Sequence, residues 1–216
     1  MRVFLILFLL ISGLFACYDR VHTKYENYYE IIDDFMRFYY YDSDVAILNE
    51  LAKVIKSPDD NSNSFQDSPQ FFDPHSLPPP PPQYGRIYIS KSELKFLNRK
   101  HLLDTNDLHY FYDQISDLEN FTLDPLRVNK IIIKQASIDS IFKMNSDEDG
   151  FKILKEQYKV DSYLQFSNPL ISKDGKIMIF DIESNCGRNC GHGDRYIVQK
   201  HKGKWRVIYQ HQTWIS

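Results

Sequence analysis

The apolar and polar positions divide the chain into a leading apolar run, a helical stretch, a proline-rich stretch and a long region of mixed helix and strand. Val3–Ile11 is unbroken apolar sequence, and the run extends to Ala16 with only Ser12 and Gly13 intervening. Those fourteen residues would span about 21 Å as helix. A hydrocarbon core of ~30 Å needs more, so the run predicts a signal segment over 1–16 and not a stable membrane span. Further on, Tyr28, Ile31, Ile32, Phe35 and Tyr39 recur at spacings of three and four, which predicts a helix over 25–41 after a short tether. Leu48, Leu51 and Ile55 form a second stripe between Asp42-Ser43-Asp44, a capping sequence, and Pro58, a stop. Together these predict an N-terminal helical hairpin within 17–56. Its aromatic face is expected to pack on the downstream domain or to meet a partner.

Residues 57–83 hold eight of the ten prolines, with many Asp, Asn and Ser and no apolar period, which predicts a disordered linker. The run Pro78–Pro82 favours a stiff polyproline spacer. From Tyr84 the pattern becomes that of a folded domain. Arg86–Ile89 alternates as a strand. Ser90-Lys91-Ser92-Glu93 is a capping box, with the Ser90 hydroxyl on the Glu93 amide and Glu93 reaching back. Leu108, Phe111, Tyr112, Ile115 and Leu118 mark another helix, Ile131-Ile132-Ile133 a buried strand, and 148–158 a further helix. Four strands then follow at 163–167, 177–182, 195–201 and 205–214, with short Gly-containing turns at Lys173–Lys176 and His201–Lys204. The predicted class is α+β, with helices packed on a four- to five-stranded antiparallel meander over 84–216.

Composition changes the picture only through its distribution. From Phe151 onward there are 11 Lys/Arg against 6 Asp/Glu, while 17–150 has 14 against 23, so the two parts are electrostatically complementary. The net acidity argues against nucleic acid as a partner.

The end of the signal segment carries the first chemistry. An ordinary secretory site wants small residues at −3 and −1. Leu14-Phe15-Ala16-Cys17 resembles instead the lipobox of bacterial lipoproteins, with Phe15 bulkier than the usual residue before Ala. The resemblance implies lipid modification of Cys17 and a membrane partner through that anchor, because each buried CH₂ contributes about 0.8 kcal/mol and two or three chains hold permanently.

The three cysteines then leave Cys186 and Cys190 as an even pair in a compartment where disulfides persist. They lie in a glycine loop, 184–195, which also offers Arg188, His192 and Arg195 as donors for a small polar ligand. A Cys186–Cys190 disulfide would contribute about 2 kcal/mol by loop-entropy arithmetic. A redox dithiol normally has two intervening residues at a helix start; a metal site could use Cys186, Cys190 and His192 with His201 or His211, but zinc sites usually show a tighter Cys pair and a second pair at spacing; and a Cys186–His192–Asp194 triad needs more separation along the chain. Asn145–Glu156 follows calcium-loop spacing, but Asn145 and Lys152 depart from it, and an acidic first turn of the 148–158 helix explains the same residues. No metal or cofactor is expected.

Phe166–Leu170, Cys186-Gly187-x-x-Cys190-Gly191-x-Gly193, Gly203-Lys204-Trp205 and Trp214-Ile215-Ser216 together resemble a tail recurring in uncharacterised bacterial envelope lipoproteins, notably of Bacteroidetes. This resemblance implies a shared fold and no particular reaction. The expectation is a lipid-anchored envelope protein, on the outer rather than the inner membrane, acting as a non-catalytic binding module for another envelope protein or a small polar ligand. The alternatives are an enzyme acting on a small polar substrate at the 184–195 loop and a thiol-disulfide protein.

Overall fold

A computed structural model describes residues 25–40, 44–57, 86–115, 121–145, 147–187 and 190–216. The chain divides into two compact units, Met1–Tyr41 and Asp42–Ser216. In the first, helix α1 spans 25–39, and its expected stripe is largely the buried one: Tyr28, Ile31, Ile32 and Phe35 are buried, whereas Tyr39 is exposed.

The second unit is α+β, with a mixed sheet of seven strands where an antiparallel meander was expected. Its strands are β1 (Val45–Leu48), β4 (Ile132–Ile133), β5 (Ser162–Phe166), β6 (Leu170–Ile171), β7 (Ile177–Asn185), β8 (His192–His201) and β9 (Lys204–Ile215), while β2 (Lys53–Lys56) and β3 (Arg86–Ile89) pair apart as a parallel ribbon. The order is β4-β1-β5-β7-β8-β9, with β6 on β7. The β5-β7-β8-β9 portion is antiparallel as the turns predict, and β1 adds to it in parallel with both β4 and β5. The β8–β9 register shifts twice, between Gly193 and Asp194 and between Ile197 and Val198.

The second helix of the expected hairpin does not form. Val45-Ala46-Ile47-Leu48 is buried at every position and lies between two parallel neighbours, where a short continuous apolar run is what a strand needs. The helical spacing of Leu48, Leu51 and Ile55 arises from two strands and a crossing segment between them. In that segment Glu50 bridges to Thr122 and Ala52 to Ser167. The expected linker, 57–83, lies outside the described residues apart from Ser57.

Helices α2 (Lys91–Arg99), α3 (Leu108–Gln114), α4 (Gln135–Met144) and α5 (Asp147–Tyr158) supply two separate apolar clusters. One joins Leu94, Leu97, Leu108 and Phe111 to Leu170, Ile179 and Ile197; the other joins Ile138, Ile141 and Leu154 to Ala46, Leu48, Ile133 and Tyr163. Strand register puts all of these sheet residues on one face. The two clusters therefore flank a seam across that face, and the seam is polar.

The calcium-loop reading of Asn145–Glu156 is overturned by the same packing. Asp147–Tyr158 is helix, the Asn145 amide donates to the Ile141 carbonyl at 2.7 Å, and Gly150 packs under the Phe142 ring. Among the described residues no cluster of His, Cys, Asp and Glu is arranged to hold a metal ion, and no helix is long and apolar enough to cross a membrane.

Candidate functional site

Among the described residues, the sequence-derived site residues converge only in part. Cys186 and Cys190 form a disulfide with Cα atoms 5.4 Å apart, as their spacing across the β7–β8 turn allows. Of the three loop glycines only Gly187 takes a positive φ, at 125°. His192 lies beside Asp194, Nε2 to Oδ2 3.7 Å, on one face of β8. That face contributes to a shallow depression of about 360 Å³ lined by Cys190, His192, Asp194, Gln212, Ile215 and Ser216. Arg195 alternates to the opposite face and is 2% exposed, so the expected grouping of Arg195 with His192 is wrong. Strand alternation separates them, since His192 and Arg195 are an odd number of positions apart. Arg188 and Cys17 lie outside the described residues.

What Arg195 joins is a charge cluster in the seam between the two helical clusters, in which Arg195 and Asp181 are buried and Glu93 and His211 are partly exposed. Its Nε donates to Asp181 Oδ1 at 2.7 Å and its Nη2 to Asp181 Oδ2 at 2.8 Å, a bidentate pair. Nη2 also donates to the Tyr88 carbonyl at 2.9 Å, and Nη1 pairs with Glu93 Oε1. Register explains the geometry: Asp181, Arg195 and His211 are directly opposed across β7, β8 and β9, and the first turn of α2 lowers Glu93 onto them. Ser90 does cap α2, accepting from the Glu93 amide at 3.0 Å, but the Glu93 carboxylate turns to Arg195 rather than back to Ser90. His211 Nε2 lies 3.3 Å from the same Glu93 oxygen.

The ionisation of the cluster follows from these contacts. Burial opposes the charge on Arg195, but Asp181 and Glu93 outweigh it and hold the guanidinium firmly protonated. Burial would likewise raise Glu93, yet the Arg195 charge and the His211 hydrogen bond leave it below the ordinary carboxylate value. At Asp181 burial wins: its carboxyl sits above the ordinary value despite Arg195, and the charge on Glu93 adds to the rise.

One row along the sheet, Gln165, Glu183, Gly193 and Trp214 are opposed in the same way. Glu183 is 5% exposed and accepts from Trp214 Nε1 at 3.3 Å. Burial, then the neighbouring charge of Asp181, push its carboxyl up to about 7, against the lowering effect of the Trp214 bond. The site thus holds two carboxyl groups on one strand face with divergent partners: Asp181 is clamped by Arg195, and Glu183 accepts from the Trp214 indole. Such groups concentrate at functional sites, and they also occur in structural ion networks.

The indole reaches Glu183 only because Gly193 has no side chain. A Cβ there would collide with Trp214 Nε1 and Cδ1 and with Thr213 Oγ1. Gly193→Ala is expected to cost about 1–3 kcal/mol by overpacking and to break the Trp214–Glu183 bond, giving a lower denaturation midpoint and a changed Trp214 emission. Unchanged stability and emission would show that the ring has room to move.

Sequence reasoning missed Asp181, Glu183, Glu93, His211 and Trp214 as a group. One signal was present: Ile177–Ile182 reads as a continuous apolar strand, and an acid inside such a strand, followed by another, needs a buried partner. The fold and seam define a mixed α/β domain with a buried acid–arginine network. Compared with known proteins, the chain matches no family model, no curated protein and no solved structure.

Proposed function

We propose that this is a lipid-anchored protein of the bacterial cell envelope, held through Cys17, whose α+β body acts as a binding module for another envelope protein or a small polar ligand. The observation that carries the reading is the use of cysteine. Cys186 and Cys190 are joined in a disulfide, which persists outside reducing compartments. The one remaining cysteine stands where the Leu14–Cys17 sequence requires its acyl acceptor. The outer membrane is the favoured address.

A binding role is supported by the depression beside the disulfide, where His192, Asp194 and Gln212 offer polar contacts next to the exposed Ile215. An enzyme at the 184–195 loop is the less favoured reading, because Arg195 is committed to Asp181 and Glu93 on the other face of β8. Cys17→Ser should abolish incorporation of a fatty-acid analogue in growing cells and leave an unprocessed precursor. Equal labelling of wild type and variant would end the lipoprotein reading. Identification of what co-purifies with the native lipidated protein tests the binding role.

A further inference from the structure

We propose that the Cys186–Cys190 disulfide is a redox clasp: while closed it fastens the end of β9 over the buried Glu183, and an envelope dithiol protein opens it. Three contacts form the chain of causes. Gly191 follows Cys190 directly and pairs with Ser216, the Ser216 amide donating to the Gly191 carbonyl at 2.9 Å and the Gly191 amide to Ser216 Oγ at 2.9 Å. Two residues earlier, Trp214 lies across Gly193 with its indole 5% exposed. Its Nε1 then donates to Glu183 at 3.3 Å. The bridge fixes the residue before Gly191, and through the Gly191–Ser216 bonds it adds a hold on the end of β9 beyond the ladder pairs His192–Ile215 and Gly193–Trp214, the last of which places Trp214 over the acid.

The chemistry is a balanced exchange. Cys190 is the more exposed residue of the pair, and the donor's attack is assigned to its sulfur. A donor thiolate attacks Cys190 Sγ, forms a mixed disulfide and releases Cys186 as a thiolate, which takes a proton. The donor's second thiolate then attacks its own sulfur in the mixed disulfide, releases Cys190 as a thiolate that is protonated in turn, and leaves as a disulfide. Two electrons and two protons pass to the protein.

Opening the bridge releases Cys190 from Cys186 and weakens the Gly191–Ser216 pairing. It thereby lets water reach an acid that is otherwise shut in beneath Trp214. The device rests on the envelope reading only for the source of the dithiol; the clasp itself is a property of the purified chain, so the two fail independently.

The test uses the full chain in detergent carrying Trp205→Phe, which leaves Trp214 as its sole tryptophan, with dithiothreitol as the dithiol probe. After reduction, verified by alkylation and intact mass, acrylamide quenching of Trp214 should rise at least about twofold. Amide exchange over 212–216 should quicken about tenfold, while exchange in α4 and α5 stays unchanged. Cys186→Ser with Cys190→Ser should show the same exposure without dithiothreitol. The proposal is overturned if Trp214 stays equally shielded in fully reduced protein or in the double variant. It is equally overturned if reduction speeds exchange throughout the domain, since the bridge is then a general staple. Failure of lipid labelling at Cys17 would leave the clasp standing and remove only its envelope dithiol.

Discussion

Arg195→Met is expected to destabilise the protein by about 3–5 kcal/mol, because it leaves the buried Asp181 carboxyl and the partly buried Glu93 carboxyl without their counter-charge. Arg195 is 2% exposed and neutralises Asp181 through two hydrogen bonds while also pairing with Glu93. The methionine keeps most of the apolar contact, so the loss is electrostatic and not a cavity effect. Denaturant titration at neutral pH measures it. A companion variant, Arg195→Met with Asp181→Leu and Glu93→Leu, should recover most of the loss, since exchanging a whole buried ionic group for apolar side chains is often neutral or stabilising. If the single change costs less than 1 kcal/mol on the order of a surface pair, water reaches the cluster and the seam is not dry.

The second large effect is a pH dependence centred on Glu183. Its carboxyl is held up to about 7 in the folded protein, against about 4.3 for an unperturbed glutamate. Between those values the native state binds more protons than the unfolded state, so this group makes stability fall as pH rises through the window. Its contribution is fully present at acid pH and lost above about pH 7, a difference of about 4 kcal/mol at 1.36 kcal/mol per pKa unit. Glu183→Gln cannot ionise and retains an acceptor for Trp214. The variant should therefore be more stable than wild type by about 4 kcal/mol at pH 8 and converge with it near pH 4. Because Asp181, Glu93 and Arg195 remain in both proteins, the difference between them isolates Glu183. Equal stability at pH 8 would show that a positive group compensates the carboxylate in the folded state.

The readable parts of the fold were those with local signals. The Ser90 cap set the start of α2, and two glycine turns set the β6–β7 and β8–β9 reversals. β1 was not readable. Four apolar residues carry too little periodicity to separate strand from helix, and what makes Val45–Leu48 a strand is parallel pairing with Ile132–Ile133 and Ser162–Leu164, more than 80 positions away. The site divided in the same way. Cys186 and Cys190 were legible because their pairing is a matter of short spacing. Arg195 was legible as important and misplaced, since the loop was expected to continue to it, whereas β8 begins at His192 and alternation turns Arg195 inward. Asp181 and Glu183 stood in plain view inside an apolar strand, but naming their partners required the register of three strands and the placement of α2.

The two register shifts between β8 and β9 have a consequence for what can attach to this molecule. β9 ends the described strand order, and twelve residues of strand there would offer a long template to any extended chain. The bulges cut its pairing with β8 into runs of two, four and four residues. Each break re-aims the amides and carbonyls on the side of β9 away from β8. A foreign strand laid along β9 would lose step after about four residues, too few for the six- or seven-residue in-register segments that seed stacked sheets. Irregularity in β9 thus lets the domain carry a long outermost strand without that strand acting as a growth front for fibrils.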